Sequence, residues 1–155
     1  MNEKFMREAI RVSIQMMRRD KGGPFGAVVV RNGKVVGRGS NQVTSTNDPT
    51  AHAEILAIRQ ACQRLKAFQL DDCEIYTSCE PCPMCLSAIY WARLSSVFYA
   101  NTRQDAARID FDDEFIYREV ARPIGKRKIK MKQLLHDEAL AAFAEWQQKT
   151  DKILY

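Results

Sequence analysis

The 155-residue sequence predicts an α/β domain on three observations: a length that suits one hydrophobic core, an Asn-Gly turn flanked by β-branched runs, and short strand-like segments that then alternate with amphipathic stretches of helix length. Hydrophobic residues make up 46% of the chain and charged residues 28%, with 7 Gly and 5 Pro, which excludes disordered, collagen-like and low-complexity classes. No repeat or linker divides the sequence, so residues 1–155 are read as one domain.

Residues 1–19 interleave Phe5, Met6, Ala9, Ile10, Ile14, Met16 and Met17 with Arg7, Arg11, Arg18 and Arg19. That is the period of an amphipathic helix, without the uninterrupted apolar run of a signal peptide or the length of a membrane span. Gly22-Gly23-Pro24 ends it. Ala27-Val28-Val29-Val30 and Val35-Val36 flank Asn32-Gly33, a hairpin signal because both central residues of a type I′ turn need positive φ. A polar loop from Ser40 leads to Asp48-Pro49, and a helix carrying Ile55, Ile58, Cys62 and Leu65 is expected to begin near Thr50. Strands are predicted at 74–78 and 97–100, with a helix through Leu86, Ile89 and Tyr90 between them; this order gives the sheet a parallel section after its antiparallel start. In 126–132, Lys128, Lys130 and Lys132 alternate with Ile129 and Met131, the pattern of a lysine-guarded edge strand, although so basic a run also keeps a nucleic-acid role open. His136 opens a last amphipathic stretch with Leu140, Phe143 and Trp146.

Five cysteines cannot all pair within the chain, and Cys79, Cys82 and Cys85 fall within seven residues, which suits a metal site better than a disulfide framework. Upstream stands His52-Ala53-Glu54. One imidazole and two thiolates supply three ligands for a tetrahedral zinc and leave the fourth position for water, the arrangement of a catalytic zinc. Cys82 precedes Pro83, so Cys82 is predicted as a helix N-cap and Cys85 as the third helical residue. Both sulfurs then sit at a helix start, where partial positive charge favours thiolate. In mid-helix, residues two apart point about 200° apart, so His52 and Glu54 must lie in a first turn to reach one site. Glu54 then supplies the carboxylate that takes a proton from zinc-bound water and returns it to a leaving amine. Cys79 extends the run to C-x-x-C-x-x-C, but an iron–sulfur site lacks its next cysteine because Ile89 stands four residues after Cys85. Contact between Cys79 and the metal stays open, whereas Cys62 and Cys73 lie in apolar periodic segments and are expected in the core.

H-x-E followed by P-C-x-x-C, filled here by His52, Glu54, Cys82 and Cys85, is the signature of zinc-dependent nucleobase deaminases. The likeness extends through Gly22-Gly23-Pro24-Phe25-Gly26-Ala27, Asn47-Asp48-Pro49-Thr50-Ala51, Thr77-Ser78-Cys79-Glu80-Pro81, Ala88-Ile89-Tyr90-Trp91-Ala92-Arg93 and Phe111-Asp112-Asp113-Glu114-Phe115-Ile116-Tyr117. Over nearly its whole length the chain resembles the guanine deaminases, small bacterial type, of the cytidine deaminase-like superfamily, with 111–117 and the ending at Tyr155 pointing to guanine. The resemblance implies a three-layer α/β/α fold around a mixed, mostly five-stranded sheet. It further implies hydrolysis of guanine to xanthine and ammonia in purine catabolism, one Zn2+ per subunit, and contacts to the purine from Phe25, Asn41, Asp113 and Tyr155. Relatives of this type are homodimers that exchange a C-terminal segment, and Tyr155 would help close the partner's site.

Ser87, where glycine is usual, and the heavier basic run depart from the family pattern. A tRNA adenosine deaminase shares the zinc motif and engages RNA through surface charge, and another nucleobase or nucleoside deaminase is a further alternative. A structural zinc-binding interaction module leaves Glu54 without a role. The net charge of +5 is too small to argue for nucleic acid, and much of it falls on the expected edge strand. Reduced thiols and no visible export signal imply the cytoplasm, with no membrane partner.

Overall fold

The computed structural model describes residues 2–154, which fall into two compact units, one ending at Asp113 and the other beginning at Glu114. In the first, α1 (Glu3–Met17) precedes the hairpin of β1 (Gly26–Arg31) and β2 (Lys34–Ser40). The short α2 (Val43–Thr46), then α3 (Ala53–Leu65), β3 (Cys73–Cys79), α4 (Pro83–Trp91), β4 (Ser96–Asn101) and α5 (Arg103–Ala107) complete it. The sheet runs β2-β1-β3-β4, with β1 antiparallel to both β2 and β3 and β3 parallel to β4. Asn32 at φ 49° and Gly33 at φ 70° form the hairpin turn that their sequence predicts.

Alternation along β1 and β3 builds two cores on opposite faces of the sheet. Val28, Val30 and Tyr76 pack with Phe5 and Ala9 of α1, and the Tyr76 ring stacks on Phe98 at 4.7 Å. Ala27, Val29 and Ile75 pack with Ala53, Ala57, Ile58 and Ala61 of α3 and Ile89 of α4. The first unit is therefore three layers, α/β/α. Full burial of each Val or Ile side chain contributes about 1.5–3 kcal/mol, enough for these few positions to hold the register. On β2, an added Cβ would lie 2.2 Å from Ala57 O at Gly37 and 2.0 Å from Ala53 O at Gly39, so α3 rests directly on the strand backbone.

Three expectations need correction. Among the described residues the sheet has four strands, not five. The 126–132 run is not a strand: a 3₁₀ turn at Ile124–Lys126 precedes it, and the Lys128 N–H donates to Glu119 Oε2 at 2.6 Å, so a side chain takes a donor that strand pairing would have used. The helix expected near Thr50 starts at Ala53, because Asp48 Oδ1 accepts from the Thr50 N–H at 2.8 Å and from its hydroxyl at 2.7 Å. That turn spends the intervening residues and leaves His52 extended at φ −74°, ψ 155° as the N-cap.

The second unit holds α6 (Glu114–Ala121), the 3₁₀ turn and α7 (His136–Gln148), the last beginning at the predicted His136. None of its described side chains is buried. No helix among the described residues is long and apolar enough to cross a membrane.

Candidate active site

The starts of α3 and α4 meet beside the C-terminal end of β3. At α4 the structure agrees with the sequence: Cys82 is the N-cap at φ −65°, ψ 168°, Pro83 occupies the first turn, and Cys85 is the third helical residue. His52 Nδ1 lies 3.6 Å from Cys82 Sγ and 3.5 Å from Cys85 Sγ. Their three donor atoms all lie within 4.8 Å of one another. Zn–S bonds of about 2.3 Å and Zn–N bonds of about 2.0–2.1 Å set at a tetrahedral angle put N and S about 3.6 Å apart, so this donor set fits a zinc ion. Among the described residues it is the one such group, and Cys79 is not part of it. The Cys79 thiol instead donates to Thr102 O at 3.6 Å.

The two sulfurs are not equivalent. The Cys85 thiol donates to Cys82, which, with His52 helping and burial opposing, pushes the Cys82 thiol down to about 4. Donating that hydrogen bond, and buried near Glu54, holds the Cys85 thiol far above its ordinary range. Cys82 is the sulfur that ionises first, and a metal held there would need Cys85 deprotonated as well. The hydrogen bond to Cys82 raises the His52 pKa, against desolvation.

Glu54 is the second residue of α3, buried at 6% exposure. Its Oε1 accepts from Thr77 Oγ1 at 3.2 Å, and its Oε2 lies 3.3 Å from Cys85 Sγ. Burial raises its pKa, so it takes a proton more readily than a solvated carboxylate. Thr77 was not singled out from the sequence, yet it lies two residues after Ile75 on the strand face turned toward α3, so alternation alone points to it.

These groups open into a cavity of about 450 Å³ that also receives Phe25, Asn41 and Asp113. Phe25 packs edge-on against Phe111, ring centroids 4.9 Å apart at 84°. Asn41 follows β2 and is buried. Asp113 is half-buried; desolvation raises its pKa, reinforced by the charge at Cys82 and opposed by Arg103. Tyr155 lies outside the described residues. Phe111 and Arg103, which also line the cavity, were not read as site residues, because a turn through Asp110 at φ 68° and the strand end before α5 bring them there. Cys62 and Cys73 are free thiols packed in the core, as expected.

A Cys/Cys/His group beside a buried carboxylate, at the end of a mixed sheet, defines a class of metal-dependent hydrolytic site. Residues 1–101 match the model of the cytidine and deoxycytidylate deaminase zinc-binding region, and the chain belongs to that family. It is 50% identical over 154 residues to a guanine deaminase of Bacillus subtilis, an alignment that covers 99% of each chain. The X-ray structure of the Bacillus subtilis guanine deaminase superposes with a TM-score of 0.97 at 51% identity, covering 100% of this chain and 99% of that one. A tRNA-specific adenosine deaminase of Aquifex aeolicus is 43% identical over 77 residues, 50% of this chain and 51% of that protein.

Proposed function

We propose that the protein hydrolyses guanine to xanthine and ammonia, with His52, Cys82 and Cys85 holding one Zn2+ per subunit and Glu54 moving the protons. The observation that carries this reading is the buried Glu54 carboxylate set against the His52/Cys82/Cys85 group in the cavity that also holds Asn41 and Asp113. Whole-length identity to a guanine deaminase supports guanine over adenosine in tRNA, since the tRNA-specific relatives align with half to about 71% of the chain at lower identity.

Zinc bound there supplies a Lewis acid that makes water nucleophilic near neutral pH. Glu54 accepts the proton released from water and delivers it to N3 of the purine as oxygen bonds to C2. A second proton passed by the same carboxylate to the exocyclic nitrogen lets the C2–N bond break, so guanine and water become xanthine and ammonia. Thr77 holds carboxylate oxygen Oε1 in place for this transfer. Asp113 accepts hydrogen bonds from the N–H edge of the base, Asn41 holds the opposite part of the ring, and Phe25 contributes an aromatic wall. Two thiolates offset the dication, so the site favours a neutral base over an anionic nucleotide.

The same reading makes the protein a cytoplasmic homodimer of purine catabolism that exchanges its C-terminal segment and closes the partner's cavity with Tyr155. The exposed Leu140, Phe143, Trp146, Ile153 and Leu154 support it, because so much unburied apolar surface calls for a covering partner. Sedimentation reports the dimer. Mixing Glu54→Gln subunits with subunits lacking 153–155 reports the exchange, and recovered activity is the expected result. For the chemistry, ammonia release and ultraviolet spectra are followed with guanine, guanosine, cytosine and adenosine-containing tRNA, with and without chelator. Guanine conversion that chelator abolishes is expected; conversion of guanosine or tRNA adenosine without guanine overturns the reading.

A further inference from the structure

Resting on the reading of Asp113 as the acceptor for the base, we infer that Glu80 is a positioning residue for it. The Glu80 carboxylate clasps the metal-ligand loop to the segment that carries Asp113, so substrate binding depends on Glu80 through Asp113.

Glu80 stands two residues before Cys82, is half-buried and lines the cavity. Its Oε2 accepts from the Arg103 N–H at 3.1 Å, and its own N–H donates to Asn101 O at 2.8 Å. The neighbouring Cys79 thiol donates to Thr102 O at 3.6 Å. Two consecutive residues thus hold three consecutive ones, Asn101, Thr102 and Arg103, where the parallel β3/β4 ladder ends at the Cys79/Asn101 pair. The first N–H groups of a helix find no acceptor inside it, so the start of α5 takes its acceptors from side chains. Thr102 and Asp105 form a local capping box, and Glu80 adds an acceptor from the far side of the cavity wall.

What begins at Arg103 runs to the base-binding end of the cavity with little slack. Each N–H from Arg108 to Phe111 donates to a carbonyl of α5: Arg108 to Gln104 O, Ile109 and Phe111 to Ala106 O, and Asp110 to Ala107 O. Ala106 is buried, Phe111 is set edge-on against Phe25, and Asp113 follows two residues later. In the other direction, Pro81 leads directly from Glu80 to Cys82. One carboxylate therefore stands between the group that would hold the metal and the group that would hold the base. Its loss leaves His52, Cys82 and Cys85 on their own helix starts but frees the 102–113 segment, and a misplacement of about 1 Å costs a positioned contact most of its value.

The test uses the zinc-loaded full chain. Glu80→Ala should lower kcat/KM for guanine by at least about tenfold, the value of one hydrogen bond to a charged group, with the loss carried by KM and with zinc content and the thermal transition retained. Glu80→Gln keeps an oxygen for the Arg103 N–H and should stay within about threefold of wild type. That pair separates a positioning acceptor from a proton carrier, because an amide accepts the bond but moves no proton. In a double-mutant cycle, Glu80→Ala added to Asp113→Ala should cost less than about twofold, since Glu80 then has nothing left to place. Hydrogen exchange supplies a readout without substrate: in Glu80→Ala the amides of 103–111 should exchange at least about tenfold faster while those of α4 keep their wild-type rates. An undiminished loss in the Asp113→Ala background, a Glu80→Gln defect equal to that of Glu80→Ala, or loss of zinc from Glu80→Ala overturns the inference. Zinc-loaded wild type that releases no ammonia from guanine overturns the functional reading instead, and the exchange rates still decide whether Glu80 holds the segment.

Discussion

Val28, Ile75 and Leu70 in the unit that ends at Asp113 have no exposed surface, while Leu134, Phe143 and Leu154 in the unit that begins at Glu114 are 83%, 75% and 73% exposed. Both units hold amphipathic helices. In the first, strand alternation offers each helix a sheet face to cover, and two cores close on either side of β1 and β3. The second has helices and a 3₁₀ turn but, among the described residues, no strand, and none of its described side chains is buried. The difference separates two parts: one packs a metal-ligand set against a core, and the other carries exposed apolar surface.

Glu54→Gln gives the largest expected change. Turnover should fall by about 10²–10⁴-fold, the contribution of general acid–base catalysis, with zinc content and sedimentation unaltered. Altered zinc content would mean that the carboxylate helps to hold the metal. Leu70→Ala, at a position with no exposure, should cost about 2–5 kcal/mol in urea unfolding. A cost below 1 kcal/mol would mean that the first core repacks freely. Phe143→Asp should weaken self-association by at least about tenfold in a sedimentation dilution series while the thermal transition of the first unit holds. An unchanged dimer would place the covering surface elsewhere.

The smallest effect is electrostatic. Hydrogen bonds from the Thr102 N–H and hydroxyl hold the Asp105 carboxyl below its ordinary 3.8. A depressed folded value gives stability that is present above 3.8 and lost as pH falls through the folded value. Asp105→Asn should therefore narrow the gap between urea midpoints at pH 6 and pH 3 slightly. A wider gap would reverse the sign.

What could be read from the sequence was local. Asn32-Gly33 and Cys82-Pro83 impose their geometry through sterics within two residues, and both stand where they were expected. The His52/Glu54 and Cys82/Cys85 pairs converge because each sits at a helix start, although α3 begins three residues after its expected place. That shift came from the Asp48–Thr50 hydrogen bonds, a competition that periodicity does not register. Alternation at 126–132 was real in the sequence, but a strand needs a neighbouring edge as well as a pattern, and Glu119 captured a backbone donor instead. Phe111 escaped notice because its place depends on the left-handed turn at Asp110.

The seat of α3 on Gly37 and Gly39 limits how this site can change over generations. A methyl group at either position would meet helix backbone at 2.2 Å or less, and backbone cannot rotate away as a side chain can. The helix would have to lift, carrying His52 and Glu54 with it as the end of a lever. Variation that redirects the protein to a new base is therefore confined to the loops that bear Asn41, Phe111 and Asp113, while strand β2 stays closed to side-chain growth.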